Sequence, residues 1–508
     1  MLTVRKLLPL LAICILSTPT RLLAGPVALG ASPSALPLQP VFEPLQPLPA
    51  PLQEEEPQAM FRWAQAVEDL GTVSLPVVGQ GGWTYGPNGM YYRAVPSFSG
   101  DPTYELLFRP PFSGSATHPE RVLVQIPAGF ASKPFYERAV VMAFHRFSVS
   151  EKDIFLNTTL PQEARQRGWM LVAPYGLTDT NFGNVQSQES LATIAHALFA
   201  VVPFNYRRIY GVGFSMGGIN ALSFGMRHLD GQQMQFAAVA VHTGTMDMVQ
   251  TFNNSGLAVQ LLLSNSKHFG GTPSQVPFEY ERVSPVRFLP SGLVDPDHAP
   301  VVNFEKRAIY LHSNLADPQT NLVAGMSSLR QFLQQRGANV LEDLVYEPTL
   351  GHNWATMNMT KALDFLGQDD LSKTMPDSQD FVVDTPGRWW QVEVDTIEPD
   401  KAARFHLDVA PYQLGLLNSF NLSDTDGLYA ITLDLPKIGL SSTQPLRFTH
   451  STVDGTYDWI TLRGVPFKPS SVRANGAPPA TWNFNPFLKE LRIVPHVTGA
   501  LVTVDILP

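Results

Sequence analysis

The stretch Gly211-Val-Gly-Phe-Ser-Met-Gly-Gly218 decides how the rest of the sequence is interpreted. It continues a short apolar run, Ile209–Val212, and leads into an amphipathic segment, Gly217–His228. A strand, a tight glycine-rich turn and a helix are therefore predicted in direct succession. Such a turn pushes the side chain of Ser215 outward, while the glycines on either side leave room for a crowded backbone.

The same turn gives Ser215 the surroundings of a nucleophile. A serine hydroxyl reacts poorly unless a base accepts its proton and nearby donors stabilise the negative charge that forms on the substrate. The backbone N–H of Met216, at the start of the helix, is predicted to be one such donor. The alternative is an ordinary helix-capping serine, and the strand–turn–helix context favours the nucleophile.

Outward from this motif, short apolar strands alternate with helices. The predicted strands are Val122–Ile126, Val140–Phe144, Met170–Ala173, Ile209–Val212, Phe236–Val241, Ala308–His312 and Val340–Tyr346. The predicted helices are Leu160–Arg167, Ser187–Val201, Gly217–His228 and Asn321–Gln335. This alternation is typical of a mostly parallel sheet flanked by helices, whose functional residues lie beyond the carboxyl ends of the strands.

A nucleophilic serine of this kind predicts an acid and then a histidine further along the chain. Asp317 follows the strand that ends at His312, and His352 lies in a loop after the last predicted strand. An imidazole at His352 would take the proton of Ser215, and the Asp317 carboxylate would fix the imidazole tautomer and stabilise its charged form.

Each partner has an alternative. His352 would otherwise be a surface-loop histidine, and Asp317 would otherwise belong to an Asp-Pro turn. Asp295 and Asp297 are rival acids, but they precede the final strands and suit the site poorly.

In this order on successive strand ends, Gly213–Gly217, Asp317 and His352 resemble the α/β-hydrolase superfamily. The part of the chain from about 120 to 370 is most similar to its secreted bacterial esterase branch, which includes polyhydroxyalkanoate depolymerases and feruloyl esterases. The similarity to that branch rests on Ile219-Asn-Ala221 after the turn and on Gly351-His352 followed by Trp354. The resemblance implies an α/β-hydrolase fold and a Ser215–Asp317–His352 triad, with no cofactor.

The resemblance also implies a second oxyanion donor after an early strand, where the superfamily usually has a His-Gly pair. Here the sequence reads His145-Arg146-Phe147, so Arg146 replaces the glycine and the amide of Phe147 is favoured as the donor. His145 and Arg146 are candidate substrate contacts, a solvated loop arginine being the alternative for Arg146. Phe182, Phe269 and Trp354 are candidate apolar walls, with core packing as the alternative for each.

The chain is expected to contain four segments. Residues 59–372 form the catalytic domain, with a strand-rich N-terminal part and a cap insertion near 245–300. Residues 376–508 have the pattern of short strands and predict an all-β C-terminal domain, an antiparallel sandwich. The tryptophans of that domain could stack on a sugar or polymer or could belong to its core; they are Trp389, Trp390, Trp459 and Trp482.

The first 58 residues are expected to serve export and spacing. Residues 1–24 have a basic start and a short apolar run, typical of a cleaved signal peptide. Cys14 lies within that run and leaves lipid attachment as an alternative. Residues 25–58 are Pro-rich and predict an extended spacer. We therefore expect a secreted, periplasmic or cell-envelope protein of bacterial type with no integral membrane segment after signal removal.

Composition excludes several classes of protein. The 508 residues include 35 basic and 44 acidic side chains, and this excess of acid argues against a nucleic-acid partner. One cysteine excludes a disulfide scaffold and thiolate metal sites. No metal-protease, Walker or dinucleotide motif is found, so no metal or cofactor is expected.

The sequence thus predicts an exported serine hydrolase that cleaves carboxylic esters, with a polymeric or aromatic ester among the candidates. A serine peptidase of the same superfamily is one alternative. The other is a non-catalytic surface-binding protein on a hydrolase scaffold.

Overall fold

In a computed structural model of the protein, the described residues are 80–507 apart from 87–89, 109–118, 232, 372–375, 412–417, 454–457, 477–480 and 496–500. They form a mixed α/β sheet with flanking helices, followed by a second domain of β-sheets. The predicted fold class, an α/β-hydrolase fold with a C-terminal β-domain, is confirmed. The predicted signal peptide and Pro-rich spacer lie outside the described residues.

Among the described residues, ten strands form the first sheet, in the order β1-β2-β3-β4-β6-β5-β7-β8-β9-β10. From β1 through β4 to β6 neighbouring strands are antiparallel, and from β6 onward they are parallel. The strands are β1 (Thr84–Tyr85), β2 (Tyr91–Val95), β3 (Thr103–Phe108), β4 (Glu120–Gln125), β5 (Val140–Phe144), β6 (Met170–Pro174), β7 (Ile209–Phe214), β8 (Ala238–His242), β9 (Ala308–Asn314) and β10 (Val340–Val345).

Helices flank this sheet, and further helices lie in the chain segment between β8 and β9. They are α1 (Lys152–Asn157), α2 (Leu160–Arg167), α3 (Val185–Val201), α4 (Met216–Arg227), α5 (Met248–Asn254), α6 (Leu257–Ser264), α7 (Pro277–Glu281), α8 (Thr320–Gln335) and α9 (Met359–Leu366). The helices α5 to α7 occupy the region where a cap insertion is expected.

The central strands are apolar because both of their faces are covered. Every residue of β5, β6, β7, β8 and β9 is buried, whereas the edge strand β10 is only partly buried. Strands buried on both faces read as continuous apolar runs rather than as alternating ones. For this reason the sequence identifies the middle of the sheet more clearly than its edges.

In the C-terminal domain, the described residues form two six-stranded sheets, with side chains that alternate between inside and outside. Two neighbouring pairs, β15 with β17 and β16 with β18, are parallel, although an antiparallel sandwich is predicted. The chain alternates between the sheets from β15 to β18, so every second strand runs the same way. The strands are β11 (Ser378–Val383), β12 (Gly387–Trp389), β13 (Val392–Ile397), β14 (Ala403–Ala410), β15 (Asn418–Asp426), β16 (Leu428–Asp434), β17 (Leu446–Thr452), β18 (Trp459–Arg463), β19 (Ser471–Ala474), β20 (Thr481–Asn485), β21 (Glu490–Val494) and β22 (Val502–Leu507).

The two domains share a buried interface. The side chain of Asn303 pairs with the backbone of Val382, donating to its carbonyl at 2.6 Å and accepting from its N–H at 2.8 Å. Asp384 accepts hydrogen bonds from Arg227 at 2.6 Å and from Arg282 at 2.7 Å. Because Arg227 ends α4, the β-domain contacts the end of that helix opposite Ser215.

The four tryptophans of the C-terminal domain divide into two pairs. Trp389 and Trp390 are 2% and 4% exposed, and the Trp390 indole donates to the carbonyl of Asn303. These two side chains therefore belong to the core and the domain interface. Trp459 is 48% exposed and Trp482 is partly exposed.

No described helix has both the length and the apolar character needed to cross a membrane.

Candidate active site

Ser215 occupies a strained turn between β7 and α4. Its backbone dihedrals are φ 57° and ψ −119°, a conformation that costs about 1–3 kcal/mol and is common at catalytic turns. Hydrogen bonds hold the turn: its N–H donates to the carbonyl of His242 at 3.0 Å, and its carbonyl accepts from Gly218 at 3.0 Å and Thr245 at 3.1 Å. We call residues 211–218 the nucleophile turn.

Glycine is required in the nucleophile turn because the backbone passes other backbone atoms at very short range. A Cβ at Gly213 would lie 1.9 Å from the carbonyl oxygen of Gly217. A Cβ at Gly217 would lie 2.2 Å from the carbonyl oxygen of Phe144, and one at Gly218 would lie 2.7 Å from the Cα of Gly244. The end of β5 therefore lies directly against the start of α4.

Asp317 and His352 are hydrogen-bonded to each other. The imidazole Nδ1 lies 2.7 Å from Asp317 Oδ2, and Asp317 Oδ1 accepts from the N–H of Gln319 at 2.8 Å. The Asp317 side chain is fully buried, while 22% of the His352 side chain is exposed. A buried carboxylate bonded to Nδ1 leaves Nε2 of a partly exposed imidazole free to act as a base.

The ring of Phe214 connects the two halves of the site. It lies next to Ser215 in sequence, and its centroid is 4.4 Å from that of His352. Among the described residues, the Ser215 hydroxyl makes no hydrogen bond with His352. Contacts of this kind are often long before a substrate binds. The geometry therefore brings the imidazole of His352 beside the nucleophile turn, with the Asp317 carboxylate hydrogen-bonded to it.

The rival acids lie elsewhere. Asp295 accepts a hydrogen bond from the N–H of Asp297 within its own short 3-10 turn, at 3.1 Å. Neither residue is paired with His352.

Two polar side chains at strand ends hold the loop that carries the base, residues 351–356, which we call the base loop. Asn314, the last residue of β9, donates to the carbonyl of Gly351 at 3.1 Å. His242, the last residue of β8, lies 2.9 Å from the carbonyl oxygen of Asn353. The carbonyls on both sides of His352 are thus held. The sequence signal for both residues is a polar side chain that ends an apolar strand.

A third anchor of the base loop is the carboxylate of Asp153, which accepts from the Trp354 indole at 2.9 Å. The same carboxylate forms a two-point pair with Arg146, at 3.0 and 2.6 Å. Although burial raises it, the hydrogen bonds from Arg146 and Trp354 hold the pKa of Asp153 below its ordinary value. Trp354 is 1% exposed. Both predicted substrate contacts, Arg146 and Trp354, thus have a structural partner in Asp153. Their roles in substrate binding stay predictions.

The predicted oxyanion donors lie near the nucleophile turn. Met216 is the first residue of α4, where a backbone N–H has no partner within the helix. The close approach of Phe144 to Gly217 brings the segment after β5, including Phe147, toward the same place. His145 is buried, with its ring nitrogens 2.8 and 2.9 Å from the carbonyls of Arg146 and Tyr175. His145 therefore fixes the path of this backbone, and its predicted contact with substrate stays a prediction.

An apolar cluster packs the cap region onto the start of α4. Phe182 is 5% exposed and lies 5.4 Å from the partly buried ring of Phe147, and Phe269 stacks on Tyr280 at 4.4 Å. The buried members are Phe182, Met216, Ile219, Met248, Leu263, Phe269, Tyr280 and Val283. This cluster makes one side of the nucleophile turn apolar. Phe182, Phe269 and Trp354 are themselves largely covered, and their roles as walls of a substrate site stay predictions.

Glu120 orders the loop that carries Phe182, a role that the sequence gives no sign of. Its buried carboxylate accepts from the N–H groups of Tyr175, Gly176 and Leu177 at 2.9, 2.9 and 2.7 Å, and from the Ser190 hydroxyl. Burial raises the pKa of this carboxyl group to about 7 against the opposing effect of these hydrogen bonds.

A cavity of about 400 Å³ lies between the start of α3 and the cap region. Its lining includes neither Ser215 nor His352. The lining residues are Asn184, Val185, Gln186, Glu189, Ser266, His268, Phe269, Glu279 and Arg282. Among the described residues, no group of three or more His, Cys, Asp or Glu side chains is placed to hold a metal ion.

No protein-family model matches the sequence, and no curated protein matches it. Similar solved structures include an S-formylglutathione hydrolase from Agrobacterium tumefaciens, 13% identical over 54% of this chain and 97% of its own, with a TM-score of 0.39. A ferulic acid esterase is 14% identical over 52% of this chain and 98% of its own, with a TM-score of 0.37. An acylaminoacyl peptidase from Pyrococcus horikoshii is 11% identical over 60% of this chain and 52% of its own, with a TM-score of 0.39. Likeness at this level adds no argument about chemistry, which rests on the geometry above.

Proposed function

We propose that the protein is a serine hydrolase that cleaves carboxylic esters through an acyl-enzyme. The observation that carries the proposal is the strained nucleophile turn, which places Ser215 one residue from the ring that the Asp317-bound imidazole of His352 packs against. An ordinary capping serine needs neither the strain nor an adjacent carboxylate–imidazole pair.

In the proposed reaction, Ser215 Oγ attacks the ester carbonyl carbon while Nε2 of His352 takes the hydroxyl proton. The buried carboxylate of Asp317 stabilises the imidazolium that forms. The carbonyl oxygen becomes an oxyanion that accepts from the N–H of Met216 and from that of Phe147. When the intermediate collapses, the C–O bond to the alcohol breaks and His352 protonates the leaving oxygen. Water then repeats the sequence on the acyl-enzyme and releases the acid.

For the substrate we propose an ester with an apolar or aromatic acyl group, polymeric esters included. Support comes from the apolar cluster around the start of α4, in which Phe147 and Phe182 pack against each other. Apolar side chains around a reacting serine favour uncharged acyl groups.

We further propose that the protein is exported to the bacterial envelope or beyond. The basis is the sequence of residues 1–24, with its basic start and short apolar run. Expression in a bacterial host, fractionation and determination of the mature N-terminus test this. A cytoplasmic product that keeps its first residues would contradict it.

The function is tested by an irreversible fluorophosphonate probe combined with a hydrolysis panel. We expect the probe to label wild-type protein rapidly and Ser215→Ala not at all, because only an activated serine reacts quickly. The panel contains nitrophenyl esters of short and long acids, feruloyl esters, a polyester film, and an amide matched to one of the esters. Absence of labelling would refute a serine hydrolase. Cleavage of the amide at a rate comparable to that of its matched ester would instead indicate a peptidase.

A further inference from the structure

The ends of β8 and β9 place two buried imidazoles beneath the base loop. His242 and His312 are paired in the parallel register of these strands, and both are 0% exposed. Their Nδ1 atoms lie 2.9 Å apart. Two buried imidazoles in hydrogen-bond contact are unusual, because each polar atom that stays unpaired in the protein interior destabilises the fold.

The directions of the hydrogen bonds from His312 to His242 and from His242 to the base loop follow from the carbonyl of Asn353. The carbonyl oxygen of Asn353 can only accept, so the Nε2 atom of His242, 2.9 Å away, must carry the proton. The Nδ1 atom of His242 is then an acceptor, and the Nδ1 atom of His312 must donate to it. The chain of donors therefore runs from His312 through His242 to the backbone carbonyl immediately after His352.

Burial keeps both rings in this uncharged arrangement. It lowers the pKa of His242 well below its usual value and that of His312 to about 4. The other nitrogen of His312, Nε2, is buried and has no hydrogen-bond partner among the described residues. An orphaned ring nitrogen is a cost that a purely apolar residue at this position would avoid.

The His242 ring also contacts the residue beside the nucleophile. It stacks on Phe214 with centroids 4.2 Å apart and an angle of 13° between the rings, and Phe214 in turn packs against His352. The edge of the His242 ring thus contacts the carbonyl of Asn353 in the base loop. Its face contacts Phe214, which packs against His352.

We propose that His242 and His312 form a positioning pair for the general base, acting through the carbonyl of Asn353 and through Phe214. Neither residue contacts substrate. The inference rests on the proposed function, since it assigns a role toward His352 as the base.

The test compares four variants: His242→Leu, His242→Gln, His312→Phe, and the double variant His242→Leu/His312→Phe. The readouts are the rate of fluorophosphonate labelling and the separate kcat and KM values for a nitrophenyl ester. We expect His242→Leu to lower kcat and the labelling rate about 10- to 100-fold with KM within about twofold, because a small displacement of a catalytic group costs this much. His242→Gln keeps an N–H donor and should recover most of the loss. His312→Phe should lower kcat by less.

The double variant separates a shared path from two independent defects. If both histidines act through Asn353, removing His312 in addition to His242 adds nothing to the loss in kcat. If the losses in kcat of the two single variants multiply in the double variant, the histidines act independently and do not form a pair. Equal labelling rates for folded His242→Leu and wild-type protein would overturn the positioning role altogether. If His242→Leu does not fold, the glutamine and His312→Phe variants carry the same comparison.

The matched control is His228→Leu, which removes another imidazole that is stacked on a phenyl ring, that of Phe224 at 3.9 Å. It lies just after α4, at the end opposite Ser215. We expect it to lower the thermal midpoint without changing kcat. If wild-type protein is not labelled at all, the hydrolase proposal fails and this one with it. A labelled wild type with unchanged His242 variants contradicts only the positioning pair.

Discussion

The nucleophile turn and the base loop are held in place by different means. The turn is held by backbone hydrogen bonds and by glycines whose missing side chains let three backbone segments meet. The base loop is held by side chains from other elements: His242 of β8, Asn314 of β9 and Asp153 near the start of α1. A local conformation thus depends on local sequence in the first case and on distant residues in the second.

This difference predicts how each region fails. A substitution in the turn meets backbone atoms that cannot move aside, so it should damage the fold and the activity together. A substitution of Asn314, His242 or Asp153 leaves the fold of the protein intact but allows His352 to move. It should therefore lower activity by a smaller and graded amount.

The largest effect is expected for Gly217→Ala. The new Cβ would lie 2.2 Å from the carbonyl oxygen of Phe144, so either β5 or α4 must shift. We expect destabilisation of about 3–5 kcal/mol, at the severe end for single substitutions, and loss of detectable esterase activity. Circular dichroism during thermal unfolding measures the first and a nitrophenyl ester assay the second. Gly231→Ala is the control, because a Cβ there meets nothing within 4 Å.

Asp317→Asn should come next in effect on activity. An amide cannot stabilise the imidazolium and favours the wrong tautomer of His352, so kcat should fall about 10³- to 10⁴-fold. The global unfolding midpoint should change little. Asp295→Asn, which alters the rival acid, should leave kcat at the wild-type value. If Asp295 proved essential and Asp317 dispensable, the assignment of Asp317 as the acid would be wrong.

Asn314→Ala tests the base loop with an intermediate effect. The substitution removes the donor to the carbonyls of Glu347 and Gly351 and the acceptor for the N–H groups of Ala316 and Glu347, in partly buried surroundings. We expect a loss of about 1–3 kcal/mol in the free energy of unfolding, since partly buried polar groups lose their partners. With His352 displaced, kcat should fall about 10- to 100-fold. An unchanged kcat in a destabilised but folded variant would show that the loop does not need this anchor.

The smallest effect is expected in the C-terminal domain, away from both regions. His406 lies between Asp380 at 2.6 Å and Asp408 at 2.9 Å, and Asp380 also pairs with Arg336, just after α8. The hydrogen bonds that the ring N–H groups of His406 donate to Asp380 and Asp408 raise its pKa to about 9. A raised pKa means that the stabilisation is complete below pH 6.5 and is lost as the pH rises through 9.

We therefore expect the free energy of unfolding to fall by about 1–2 kcal/mol between pH 6.5 and 9.5, after allowance for solvent screening of a partly exposed pair. Urea unfolding at several pH values measures this change. His406→Gln should remove the dependence in that interval without altering kcat. A wild-type curve that is flat or rises over the same interval would contradict the assignment of the charged histidine.

How far the fold and the site can be predicted from sequence follows the same division. Strands such as Val140–Phe144 and the turn at Ser215 can be predicted because burial on both faces and a crowded backbone leave a direct trace in residue type. The hydrogen bond between Asp317 and His352 can be anticipated from their order on strand ends. The partners of His242 and Glu120 cannot be predicted, because they are backbone groups more than fifty residues away and do not depend on side-chain identity. For His242 the sequence signal is only a polar side chain that ends an apolar strand.

Side-chain burial is the other limit. Trp354 and Arg146 follow functional motifs in sequence, yet both are bonded to Asp153, whose position depends on the packing of α1. Similarly, the alternation of strands in the C-terminal domain predicts two sheets but not the parallel pairing of β15 with β17. That pairing depends on which sheet each successive strand joins.

The central claim concerns where three side chains meet, and a crystal structure of a covalent phosphonate adduct tests it most directly. We expect phosphorus bonded to Ser215 Oγ and Nε2 of His352 within about 3.2 Å of that oxygen. The phosphoryl oxygen should accept from the N–H of Met216 and that of Phe147 at about 2.7–3.1 Å. An adduct on another residue, or an imidazole that stays out of contact with Ser215 Oγ in the adduct, would contradict the account.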